Sequence, residues 1–406
     1  PPRSTLFPYT TLFRSSRLIL YFLPQLAVIA IIYLLLRTRY LRVLWEMLLS
    51  YSLLAFLLIA YAGIVPLQNL DEIRHQPFLH MYDQPNENHE PKVNYAFIRS
   101  LTMSPQRNDL FFSYGPTSGL VRINLTDDDR SFFELTHLMI RHLQLVPEKN
   151  EVHAIEWINN KYMVFDWERL SLKYSYSLTM PDAFIPGNFQ LKDDFAYIVF
   201  SQLPGIAKIQ LNNMKIHKAI NFISEGLTDF RSGAWDIAFH DQKPWFFMEI
   251  DYTNSKDDAL ILKVNADSMT VVGSLSLPGG GDQIDLEYFP SLQRLLGVNL
   301  FRDIIYEIDP ETMQLVRTIS GAPHSRNVFY DAKRNLLYSI SFFSGWLYVI
   351  DYSSGKKLGR IPLGNKATTA YYVAEHDALY FASRAGLGKI DLASMLNALA
   401  IPTIGD

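Results

Sequence analysis

One pattern constrains this chain more than any other: a short apolar strand closes on Asp, Asn or Gln just before a turn, and then returns. It reads LVRINL at Asn124, YMVFDW at Asp166, IAKIQL at Gln210, LILKVN at Asn265, IIYEID at Asp309, LYVIDY at Asp351 and LGKIDL at Asp391. Successive separations are 42, 44, 55, 44, 42 and 40 residues. Runs this short, rich in β-branched and aromatic residues and bounded by turn formers, suit strands buried on both faces. A companion strand precedes most of them: LFFSY, AYIVF, WFFMEI, RLLGV, LLYSI and ALYFAS. Four short strands in about 40 residues make one propeller blade. A unit of that size buries its apolar face only against its neighbours. The expected fold is therefore all-β, a seven-bladed β-propeller over residues 93–406. Six blades is the alternative, because the second unit is weakly patterned and SFFELTHLMIRHL (131–143) also reads as a helix. No outer strand follows Met395, so KVNYAFIRS (92–100) is expected to complete the ring.

The best-formed copy is GWLYVIDYSSGKKLGRIPLG (345–364), a strand, a turn on Gly355 and a second strand. Together with IYEIDPETMQLVRTI (305–319), it resembles the YVTN family of β-propeller repeats. The resemblance is good over residues 282–391 and loose over 93–234. It implies a fold, not an activity. It also implies that two sets of loops share the face around the central channel: those entering each innermost strand, and those joining the second and third strands.

The N-terminal part is different in kind. Residues 1–15 resemble a reading-frame translation of a short-read sequencing adapter, and are set aside from fold reasoning. The natural N-terminus is then expected to lie further upstream. Residues 18–36 carry no charge and residues 44–65 carry only Glu46, so each is long enough to span a bilayer as a helix. The loop between them holds Arg37, Arg39 and Arg42, while Asp71 and Glu72 follow the second span. By the positive-inside rule the short loop is cytoplasmic and the propeller is outside the cytoplasm, with the chain multi-pass in the cytoplasmic (inner) membrane. Residues 67–92 read as a polar linker. Its His75, His80 and His89 match no metal-ligand spacing. The first 65 residues carry six Arg and one acid, and the remainder 31 basic and 40 acidic residues. That acidic balance argues against nucleic acid as a partner. There is no Cys, which excludes disulfides, thiolate metal sites and Cys nucleophiles.

The long 55-residue interval places extra residues in SEGLTDFRSG (224–233) and DYTNSKDD (251–258), both on the expected channel face. Insertions on one face of a repeat array mark binding surfaces. The candidate ligand-binding residues there are Arg231, Asp236, Asp282, Asp285, His324, Arg326, Asn327 and Lys366. A mixed ring of this kind suits a small polar or anionic ligand. Catalytic features are weaker. His324 with Asp282 or Asp285 would form an acid–base pair only if facing loops meet. PGGGD (278–282) opens no helix, which removes a phosphate-cradling reading. The quinone-dehydrogenase propeller signature fails at Gly359, where it requires Trp. Asp127, Asp128 and Asp129 lack the alternation of a calcium loop and read as a charged turn. No metal or cofactor is expected. The favoured function is a membrane-tethered binding, interaction or sensor module, with the bilayer and a protein or small polar ligand as partners. The alternatives are a lactonase-like propeller hydrolase, or an accessory domain of a truncated polytopic transporter or glycosyl-transfer enzyme.

Overall fold

In each repeat the third strand ends on the residue that marks the pattern. These strands are Gly119–Asn124, Lys161–Asp166, Gly205–Gln210, Ala259–Asn265, Ile304–Asp309, Trp346–Asp351 and Gly386–Asp391. The reason is local. The terminal side chain accepts hydrogen bonds from amides two or three residues ahead and so shapes the turn. Asp166 Oδ1 accepts from Glu168 and Arg169, Asn265 Oδ1 from Asp267 and Ser268, and Asp309 Oδ1 from Glu311 and Thr312. Asn124 and Asp351 cap the same turn through Thr126 and Ser354. Gln210 is the exception: its longer side chain accepts from Asn213 Nδ2 instead.

Four residues beyond each cap, the backbone enters the left-handed region at Asp128, Leu170, Met214, Met269, Met313 and Gly355. Only Gly355 does so without a Cβ penalty. Leu170, Met269 and Met313 are buried, so packing offsets a cost of about 1–2 kcal/mol each.

The computed structural model describes residues 68–82, 98–114, 119–134, 139–178, 185–201, 205–226, 233–251, 259–277, 284–300 and 302–401. They form seven four-stranded antiparallel sheets. The first strands of the sheets are Ile98–Ser104, Ile140–Val146, Pro186–Lys192, Ala234–Phe239, Ile284–Phe289, Ser325–Asp331 and Thr369–Val373. Each contacts the next, and Ile98–Ser104 also contacts Thr369–Val373, which closes the ring around a central channel. The middle strands are the core: Asp109–Tyr114, Leu336–Ser341 and Ala378–Ser383 are buried along their whole length. Each fully buried Leu, Ile or Phe contributes about 1.5–3 kcal/mol relative to exposure. The outermost strands, such as Leu172–Ser177 and Thr270–Leu277, face solvent. Seven blades, not six, are present. Residues 131–143 are not helical where described: Arg130–Glu134 ends the first blade and Ile140–Val146 opens the second.

The seventh blade departs from the pattern. Asp391 again caps, accepting from Ser394, but it starts the helix Leu392–Ala398 rather than a hairpin. The fourth strand comes from upstream instead: Leu79–Met81 pairs antiparallel with Gly386–Asp391, Leu79 opposite Ile390 and Met81 opposite Gly388. A side chain at Gly388 would meet Phe381 at 2.8 Å and Met81 at 2.9 Å, so glycine is needed for this closure. The stretch expected to be a linker therefore supplies the closing strand and a short helix, Leu70–Arg74, whose Ile73 is buried. Residues 92–100 do not close the ring as expected. Their described part, from Ile98, belongs to the innermost strand of the first blade.

No helix among the described residues is long and apolar enough to cross a membrane. The two expected spans, at 18–36 and 44–65, lie outside the described residues.

Candidate functional site

The first strands carry a second, less regular motif near their start. A polar residue follows an apolar or small one: Ile98-Arg99, Ile140-Arg141, Gly187-Asn188, Ile284-Asp285 and Ser325-Arg326. In the first, second and sixth blades the pairing register with the second strand skips this residue. It jumps from Ile98 to Ser100, from Ile140 to His142 and from Ser325 to Asn327. Arg99, Arg141 and Arg326 are thus bulge residues, and a bulge re-aims a side chain without breaking the sheet. The amides displaced nearby find side-chain acceptors: Ser100 N donates to Ser113 Oγ, and Leu143 N to Ser100 Oγ. Ser325 and Ser339 pin the sixth bulge through a 2.9 Å hydroxyl contact. In the fourth blade the register jumps from Ala234 to Ile237, which frees Asp236 in the same way.

These residues line one cavity of about 880 Å³ in the channel. Around the ring, Arg99 and Arg141 come from the first and second blades, Asp236, Asp285 and Glu287 from the fourth and fifth, and Arg326 from the sixth, beside the acids. The Arg141 guanidinium lies 5.4 Å from the centre of the Trp157 ring, and that of Arg326 lies 5.5 Å from Phe342. Such stacking fixes the plane of each guanidinium. Neither Arg99 nor Arg326 forms an ion pair among the described residues.

Of the acids, Asp236 is held by neutral groups. Asp236 accepts from Asn188 Nδ2 at 2.6 Å, from Leu286 N at 2.7 Å and from Ile237 N at 2.8 Å. Crowding inside the ring pushes its carboxyl well above the usual range, and the neighbouring Asp285 adds to this. Burial also raises Asp285 to about 6, against the pull of Arg326 and Arg141. Glu287 rises to about 7, first by burial and then by Asp285. Glu287 is nonetheless exposed to the channel, so its desolvation is partial. Burial and the other two arginines draw Arg141 down to about 10. Burial also holds the adjacent His142 neutral, at about 4. The site thus gathers three arginines and three acids in one cavity, where burial destabilises the charged form of both kinds and Asp285 adds to the effect on Asp236 and Glu287.

Of the residues expected from sequence, Asp236, Asp285, Arg326 and Asn327 line this cavity. His324 and Lys366 are in the left-handed region on loops near it, and are not among its lining residues. His324 Nδ1 bonds to Leu300 O at 3.2 Å. Arg231 and Asp282 lie outside the described residues. Sequence reasoning missed Arg99, Arg141, Asn188 and Glu287. One signal was available, because Ile-Arg occurs at 98 and again at 140, one repeat apart. Among the described residues no group of His, Asp or Glu is arranged to hold a metal. Asp127, Asp128 and Asp129 form a charged turn, with Asp128 paired to Arg130 and Asp129 to Arg122.

No known protein family matches the chain, and no curated protein does. Its likeness to solved structures lies in the fold. A chain of the Kuenenia stuttgartiensis hydrazine synthase structure is 11% identical with a TM-score of 0.59, over 75% of this chain and 97% of that one. A chain of a mitotic checkpoint complex crystal structure is also 11% identical with a TM-score of 0.59, over 73% of this chain and 87% of that one. Similarity of this kind establishes the seven-bladed propeller and nothing finer.

Proposed function

We propose that this propeller is a non-enzymatic ligand-binding module whose site is the channel cavity, and that N-terminal helices hold it outside the cytoplasm at the cytoplasmic membrane. One observation carries the binding reading: three blades each use a bulge to turn an arginine into the same cavity. A bulge gives up ladder hydrogen bonding locally, and fold stability alone gives no reason to spend it three times on converging like charges. The cavity is the size of those that enclose small molecules, roughly 300–1,000 Å³. The tether and the orientation rest on the apolar runs at 18–36 and 44–65 and on the arginines between them.

The test uses the full chain in a maltoside detergent, titrated with inorganic phosphate, sulfate and citrate while thermal unfolding is followed. Binding raises the midpoint. Joint replacement Arg141→Ala and Arg326→Ala is expected to weaken the tightest of these anions by about a hundredfold, ~2.7 kcal/mol. Equal affinity in wild type and variant would remove the cavity as the site. For the tether, protease added to spheroplasts is expected to degrade the propeller and spare the Arg37–Arg42 loop. The reverse pattern defeats the orientation.

A hydrolytic reading has one observation behind it: Asp285 and Glu287 titrate near 6 and 7, where a general base is useful. It predicts lactone turnover that rises through about pH 7 and is lost in Glu287→Gln. Absence of turnover across a lactone panel leaves the binding reading alone.

A further inference from the structure

The charge pattern of the cavity narrows the class of ligand, given that the cavity is the binding site proposed above. We infer that the ligand is a compact zwitterion: an anionic group seated among Arg99, Arg141 and Arg326, and an ammonium group on the same molecule facing Asp236, Asp285 and Glu287.

An anion site needs only the arginines. The facing wall would then be neutral or basic, because a carboxylate a few ångströms away repels the same ligand. Here the facing wall carries three carboxyl groups from two adjacent blades. Arg99 and Arg326 form no ion pair among the described residues, and Asp236 is bonded to Asn188 and two backbone amides. The acids therefore raise one another's energy across a gap, and a cation placed between them relieves this. A buried hydroxyl on the same lining, Thr368 Oγ1, has no hydrogen-bond partner among the described residues and remains available to a polar ligand. The fixed plane of Arg326 favours a planar or tetrahedral oxyanion bound through paired N–H groups.

The shared chemistry, oxyanion plus ammonium, has two sources: an amino acid or short peptide, or an amine-bearing phosphate. Calorimetry on the full chain in maltoside detergent separates them. One arm uses glycylglycine against N-acetylglycylglycine, which lacks the ammonium, and glycylglycinamide, which lacks the carboxylate. The other uses phosphoethanolamine against inorganic phosphate and ethanolamine. In at least one arm the zwitterion is expected to bind ten times more tightly, or better, than either half, and that arm names the source. Asp285→Asn, with Glu287→Gln as a second variant, is expected to abolish the advantage over the anion-only probe while leaving that probe's affinity equal or higher. Raising the pH from 5.5 to 7, a range in which glycylglycine keeps its ammonium and N-acetylglycylglycine its single negative charge, is expected to strengthen glycylglycine binding as Asp285 and Glu287 ionise, and not that of N-acetylglycylglycine. Arg99, Arg141, Arg326, His142 and Tyr371 also face the cavity or adjoin it; His142 is neutral throughout that range, and the arginines and Tyr371 keep their charge state. If the anion-only probes bind as tightly as the zwitterions, the inference fails and the binding reading stands. If no probe binds in either arm, both fail.

Discussion

The two ends of the propeller follow opposite rules. At the turn end the first six blades repeat one another, with a capped third strand and a left-handed residue four positions on, and polar clamps run between neighbouring blades. Asp109 takes Trp167 Nε1, Glu307 takes Tyr352 Oη, and Arg334 joins Asp331 to Asp377. Every member has a partner. At the channel end the blades differ from one another, and like charges converge. The first end is organised to hold the ring together, and the second holds charges in an arrangement that stability alone disfavours. Such a division between a satisfied scaffold and a strained site is the expected form of a binding protein.

The largest effect should come from breaking the satisfied end. Asp331 is fully buried and accepts from Arg334 at 2.8 Å and from Tyr338 at 3.0 Å. Asp331→Ala leaves Arg334 short of its buried partner, and urea unfolding should show a loss of about 3–5 kcal/mol. Phosphate affinity in the folded fraction should be unchanged. A change there would show that the two ends are not independent.

Removing a single cap is milder. Asp309→Ala should cost about 1 kcal/mol in the same assay. The amides of Thr312 and Glu311 hold the Asp309 carboxyl below its usual range, Thr312 most strongly. That contribution is present above the unfolded-state value and is lost as pH falls through the lower folded value. The difference between Asp309→Ala and wild type should therefore shrink in strong acid. Gly355→Ala forces a Cβ into the left-handed region at φ 69° and should cost roughly 1 kcal/mol. If it costs nothing, the turn can change type, and the repeat is less constrained than its regularity implies.

The smallest effect sharpens the contrast, because its sign is reversed. Glu287 has its carboxyl raised to about 7, so the folded state binds its proton more tightly than the unfolded state. The stability it contributes is complete below about 4 and is lost as pH rises through about 7. Glu287→Gln should thus raise the melting midpoint at pH 8 and leave it unchanged at pH 4. A lower midpoint at pH 8 would mean that Glu287 belongs to the satisfied scaffold.

The two ends also differ in how far the sequence reveals them. Asn124, Asp166 and Asp351 act on their own backbone within three residues, so their spacing alone locates every third strand. The arginines act across the ring. Nothing near Arg99 or Arg326 in sequence specifies a bulge, and residues 99, 141, 236, 285 and 326 meet only after all seven blades have closed. Asp236, Asp285 and Arg326 were reachable because loop position in a repeat fixes the face. Their partners across the channel were not. The closing strand was hidden for a related reason: Leu79–Met81 is three residues long and sits among polar residues, with no repeat of its own.

That short strand sets the order in which the molecule can fold. Leu79 and Ile390 stand at opposite ends of the described chain, so closure waits until the last blade has been synthesised. Tying ends so far apart costs about 5 kcal/mol of loop entropy beyond a constant, and only the seam can return it. Until then Gly386–Asp391 presents an open sheet edge, which invites pairing with a second chain. The nascent propeller is an open arc through nearly all of translation, and becomes a ring in one late step.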